Sequence, residues 1–73
     1  MKPWYYYLHA NGELISKSPD AVESDPDYFK SDFVKKHWKI DLGNRVDAWI
    51  LILEALENGA NVDRVAALAE KWG

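Results

Sequence analysis

Seventy-three residues suffice for one small domain, residues 1–73, and a chain of that length buries only roughly 60% of the surface its unfolded form exposes. The absence of cysteine excludes disulfides, thiolate nucleophiles and cysteine-ligated zinc, and fits a reducing cytoplasm. A net charge of −3 is the wrong sign for a protein that coats DNA, and the longest apolar run, residues 48–53, falls far short of the ~20 residues that span a bilayer.

With no apolar signal-peptide core at the start of the chain, the expectation is a cytoplasmic protein with no membrane partner. Four Trp, four Tyr and two Phe stand in for covalent staples, since each ring carries a large area into a core.

Trp4-Tyr5-Tyr6-Tyr7-Leu8-His9 is rich in strand formers, and Asn11-Gly12 suits a two-residue type I′ hairpin turn into Glu13-Leu14-Ile15-Ser16-Lys17. That turn pairs Ala10 with Glu13 and predicts one ribbon face of Trp4, Tyr6, Leu8 and Ile15, the better core face. Tyr5, Tyr7, His9 and Leu14 share the other, an aromatic surface open to being covered. Pro19 ends the strand.

Residues 18–32 are polar and acidic and read as a connection. Within it Asp25-Pro26 predicts a short helical turn, whose Tyr28 and Phe29 pin the loop to the core. Residues 33–40 have mixed spacing: Phe33 and His37 fit a helix, whereas Val34, Trp38 and Ile40 fit a strand. A strand is the better choice, because a lone two-stranded ribbon is marginal in water. It would turn Lys35, His37 and Lys39 to one face.

Residues 41–58 hold the most apolar surface in the chain. Asn44 or Asp41 caps a helix on which Val46, Trp49, Ile50, Leu53 and Leu56 form one broad face; with Trp49 its largest member, this face is the expected core contact. Ala48, Leu51, Ile52 and Ala55 extend it sideways, so partners are required on more than one side. Arg45 reads as a local ion-pair residue that can stack on Trp49. Gly59 stops the helix in the left-handed conformation. Asn61 caps a second helix with a stripe of Val62, Val65, Ala66, Ala69 and Trp72, and so short a linker makes the two helices neighbours. The predicted fold class is α+β, a small antiparallel sheet packed on a C-terminal two-helix hairpin.

The string Tyr6-Tyr7-Leu8-His9, Asn11-Gly12-Glu13-Leu14-Ile15, Ser31-Asp32-Phe33-Val34 with Trp38, Arg45, Ala48-Trp49, Glu54-Ala55-Leu56, Gly59-Ala60-Asn61 and Arg64-Val65 with Lys71-Trp72 resembles a family of small proteins encoded by bacteriophages and prophages. The resemblance spans most of the chain. It implies a phage or prophage origin and a bacterial cytoplasm, and it implies no catalytic residue.

For chemistry the inventory is thin. His9 and His37 belong to no nucleophile, phosphate-loop or zinc-helix motif, and they form a metal site only if the strands bring them beside an acidic residue. The Ser-Asp pairs at 24–25 and 31–32 read as turn and cap chemistry. No enzyme, cofactor or metal is expected.

Ala55, Gly59, Val65 and Leu68 have the spacing of a DNA-reading helix-turn-helix, but any tight helix pair shares it, and Asp63, Arg64, Glu70 and Lys71 sum to no charge. The candidate interaction face is Tyr5, Tyr7, His9, Lys35, His37 and Lys39. Its rings and cations suit either a protein partner, including a second copy of the chain, or a weak contact with single-stranded nucleic acid. The bland alternative is a solvated lysine edge that deters strand aggregation. The leading expectation is a non-catalytic protein-interaction or accessory module.

Overall fold

In a computed structural model of the chain, which describes residues 3–41 and 43–72 and the side chains as far as Glu70, β1 (Trp4–His9) is the middle strand of three. β2 (Leu14–Lys17) and β3 (Val34–Ile40) flank it, both antiparallel. α1 (Pro19–Ser24) and a 3-10 turn (Tyr28–Lys30) lie between β2 and β3; α2 (Arg45–Glu57) and α3 (Val62–Trp72) follow β3. The architecture is α+β, as the pattern of elements predicts.

The hairpin turn differs from the two-residue prediction. Gly12 alone adopts a positive φ (91°) while Asn11 does not. His9 N–H donates to the Glu13 carbonyl at 2.8 Å, and Gly12 N–H to the His9 carbonyl at 2.9 Å. This is a three-residue loop ending in a left-handed glycine, the other common way to close a hairpin. The extra loop residue shifts the register by one: Leu8 faces Leu14 and Tyr7 faces Ile15. Because side chains alternate with period two, Leu14 and Ile15 exchange faces. Trp4, Tyr6, Leu8 and Leu14 therefore face the core, together with Trp38 and Ile40 of β3.

The connection at 18–33 is more structured than its composition suggests. Ser18 accepts from Ala21 N–H at 3.2 Å and Pro19 occupies the first helical position, a Ser-Pro start with a clear physical basis. The expected turn carrying Tyr28 and Phe29 is present as the 3-10 turn, but it starts after Asp27 rather than Asp25, with no side-chain cap bond, and Phe29 stays 40% exposed instead of being pinned into the core.

α2 begins where Asn44 accepts from Val46 and Asp47 N–H at 3.0 and 3.3 Å. It ends in a Schellman arrangement: Ala60 N–H donates to the Ala55 carbonyl, Gly59 N–H to the Leu56 carbonyl, and Gly59 has φ 88°. Asn61 caps α3 through Asp63 N–H at 2.9 Å. Leu51, Ala55, Ala60 and Val65 then complete one cluster with the inner face of the sheet, and Ile52 and Leu68 pack at its margin.

The face of α2 that enters this cluster is the one opposite to expectation. Leu51 and Ala55 are fully buried, whereas Val46 (66% exposed), Trp49 (61%), Ile50, Leu53 (59%) and Leu56 face outward. On α3 the buried side centres on Val65 and Leu68; Val62 and Ala66 are exposed, and the Trp72 side chain lies outside the described ones.

The hairpin tip also touches the α2–α3 linker, since Asn61 N–H donates to the Gly12 carbonyl at 2.8 Å. A Cβ on Gly12 would meet the Gly59 carbonyl oxygen at 3.2 Å, so two constraints converge on one residue. Gly12→Ala should lower unfolding free energy by about 1–3 kcal/mol, through backbone strain and this close approach. Leu51→Ala should cost about 2–5 kcal/mol, whereas Trp49→Ala, in dilute solution, should stay within about 0.5 kcal/mol of the parent. Urea denaturation of the three variants checks all three values.

Candidate functional site

The six residues of the predicted interaction face do not form one open surface. A bulge between Leu8 and His9 leaves Lys35 as the extra residue of β3. Lys35 reaches the end of α2, where its Nζ donates to the Asn58 carbonyl, a cation against the negative end of a helix. It thus leaves the face assigned to it, while His37 and Lys39 pair opposite Tyr7 and Tyr5 as that face requires.

Residues 18–33 cover the centre of what remains. Tyr7 is 2% exposed. The Tyr28 ring meets it edge-on at 4.9 Å, His37 stacks near it at 6.1 Å, and Phe29 lies 5.0 Å from His37. His9 is hydrogen-bonded through Nε2 to the Tyr28 hydroxyl at 2.7 Å and packs edge-on against Phe33. The Lys17 ammonium sits 3.6 Å from the centre of the Tyr28 ring, a cation–π contact. Burial raises the Tyr7 and Tyr28 hydroxyls above the usual phenol pKa, and the charge on Asp25 adds to both. The aromatic surface is therefore a partly covered seam between sheet and connection: Tyr7 and His9 lie beneath the connection, whereas His37, Lys39, Phe29 and Phe33 remain exposed. Tyr5 at the margin is half-buried.

The two histidines share this seam without forming a metal cluster: among the described residues no three potential ligands come together. α3 exposes Asp63, Arg64 and Glu70, a mixed row that gives phosphate little to bind. No described helix is long and apolar enough to cross a membrane.

The surface that stands out is the outer face of α2. Its exposure follows from three bonds made on the helix's other sides. Glu54 accepts from the Trp38 indole at 3.0 Å and from Lys36 Nζ at 3.2 Å, and Asn58 receives Lys35 at the C-terminus. With Leu51 and Ala55 pressed on the sheet, Val46, Trp49, Ile50, Leu53 and Leu56 lie about 180° away around the helix. All five are between 41% and 66% exposed and adjacent on one helix face, a contiguous apolar patch of the kind that is often functional. Sequence reasoning recognised these five residues as one face. Periodicity alone predicts this face for the core; the signal against it is that a helix apolar nearly all round presents a second face that a chain of this size cannot cover.

The chain matches no family model, and neither the curated proteins nor the solved structures compared with it give a match.

The bonds from Trp38 and Lys36 hold the Glu54 carboxyl below the usual carboxylate range. A depressed carboxylate stabilises the fold above its unfolded pKa of about 4.3, and that contribution is lost as pH falls through the lower folded value. Glu54→Gln should therefore be less stable than the parent at pH 7, and the two should converge under acid. Thermal melts between neutrality and about pH 2.5, spanning that window, check the convergence; a constant gap at all pH values would contradict it.

Proposed function

We propose that this chain is a non-catalytic protein-interaction module that binds through the outer face of α2. One observation carries the reading: five large apolar side chains, led by Trp49, stand side by side in solvent on a helix whose other face is anchored to the sheet. Trp is among the residues that dominate binding energy when a partner desolvates it. A rigid helix presenting anchors one turn apart is a recurrent recognition element. The groups best suited to chemistry are already engaged in structure, His9 with Tyr28 and Glu54 with Trp38 and Lys36, which favours a binding role over catalysis.

Contact with single-stranded nucleic acid has less support, because the central ring of that face, Tyr7, lies under Tyr28 and Lys35 is drawn away to the end of α2. The resemblance to phage and prophage proteins adds a phage or prophage origin and action in a bacterial cytoplasm to the proposal, on the strength of that resemblance alone.

The reading is tested by placing a photoreactive amino acid at position 53 and, separately, at Glu23, which is exposed on α1, in the chain expressed in a bacterium. Adducts should form from position 53 and not from position 23. Equal labelling from both, or none from position 53, would overturn the proposal.

A further inference from the structure

β2 is an edge strand, and the register settles which of its backbone groups are turned away from the sheet. Bonded and non-bonded pairs alternate along an antiparallel ladder. His9 N–H donates to the Glu13 carbonyl, so Tyr7–Ile15 and Tyr5–Lys17 are the bonded pairs that follow. Leu14 and Ser16, between them, turn N–H and C=O away from β1 to the open edge. Their side chains share the inner face with Leu8 and Tyr6, the residues opposite them, and so lie toward the helices.

On that side β2 faces α3 across a cleft of about 190 Å³. Leu14 and Ser16 line it from β2, Arg64, Ala67 and Leu68 from α3, and the buried Tyr6 completes it. A second cleft of about 250 Å³ lies at the hairpin tip, bordered by Asn11, Glu13, Asn61 and again Arg64. The exposed Arg64 side chain forms no hydrogen bond or ion pair with a described residue. Glu13, the acid lining the second cleft, is drawn to His9, whose Nδ1 lies 4.0 Å from its carboxylate.

We propose that this groove takes an extended acidic segment of a partner protein, added to β2 as a further strand of the sheet. The surface is separate from the outer face of α2 and is built from β2 and α3. Alternating donors and acceptors along an open edge are matched by another backbone. Residues i and i+2 of the added strand, opposite Leu14 and Ser16, turn their side chains to the inner face. There Ala67 and Leu68 receive a small apolar side chain, and Arg64 receives a carboxylate through charge-assisted hydrogen bonds. Because Arg64 borders both clefts, the chain runs past it, and the carboxylate is an Asp or Glu side chain and not a chain end.

The other edge of the sheet is guarded: β3 carries Lys35, Lys36 and Lys39 and a bulge, devices that discourage strand addition. β2 carries Lys17 alone, and its ammonium is held over the Tyr28 ring. A second copy pairing through its own β2 would bring another Arg64 where the groove calls for an acid.

Selection from a displayed library of random hexapeptides against the purified full chain should enrich sequences with Asp or Glu at i+2 or i−2 from a small apolar residue. Amide shifts induced by a synthetic, end-capped peptide from the enriched set should centre on Leu14, Ser16 and α3. Methylating its backbone nitrogens one at a time should abolish binding at alternate residues and spare it between them, the signature of strand pairing. Arg64→Glu should leave the circular dichroism spectrum unchanged and weaken binding of that peptide by about 10-fold or more. No enrichment, enrichment without the acid, shifts centred on α2, methylation effects that do not alternate, or binding indifferent to Arg64→Glu would overturn the proposal. Shifts of Leu14 and Ser16 that grow with protein concentration in the absence of peptide would give the groove to a second copy and overturn it as well. The outer face of α2 is judged separately, by the adducts from position 53.

Discussion

The carboxylate of Glu54, held between the Trp38 indole and the Lys36 ammonium, fixes the rotation of α2, and the character of both faces of the helix follows from it. Burial of Leu51 and Ala55 brings α2 onto the sheet, but apolar contact is non-directional, and a helix with large side chains over much of its circumference has several ways to satisfy it. A hydrogen bond from an indole has a direction. Trp38 is itself buried in the cluster with Tyr6, Leu8 and Ile40, so its N–H requires an acceptor. Glu54 supplies one, at the cost of turning the largest apolar residues of the chain outward.

Both faces of the sheet are occupied, by different means. The inner face receives aliphatic side chains from α2 and α3. The outer face receives rings: Tyr28 and Phe33 on His9, Tyr28 on Tyr7, Phe29 on His37. Aromatic edge-to-face contacts are worth about 0.5–1.5 kcal/mol beyond burial. The acidic segment 18–33 lacks aliphatic bulk, and three rings plus one ammonium-on-ring contact are sufficient to hold it down.

What could be read from the sequence followed from period and local chemistry. The order of strands and helices, the Asn44 and Asn61 caps, the Gly59 stop and the strand at 34–40 all rest on signals within a few residues. The faces were less legible. Asn11-Gly12 is compatible with two loop lengths, and the one-residue difference exchanges Leu14 with Ile15. The bulge at Lys35 has no sequence signature, yet it removes a cation from the surface expected to carry it. Periodicity gives the angle between residues on a helix and not the direction of the core, so it leaves the side taken by Trp49 open; Leu51 and Ala55 take the inner side, where Glu54 reaches Trp38 and Lys36. Nothing local to Tyr7 indicates that Tyr28 returns to cover it.

The bond from Asn61 N–H to the Gly12 carbonyl joins the tip of the first hairpin to the corner between the last two helices. Two turns, each built on a left-handed glycine, are thus held against each other. Local opening usually proceeds by detaching a supersecondary unit whose outward contacts are few. Here the hairpin cannot separate from the helix pair at its tip without also exposing the Schellman corner that terminates α2. The amino- and carboxy-terminal halves of the domain are thus tied at this junction as well as through their shared core, which opposes independent opening of either half.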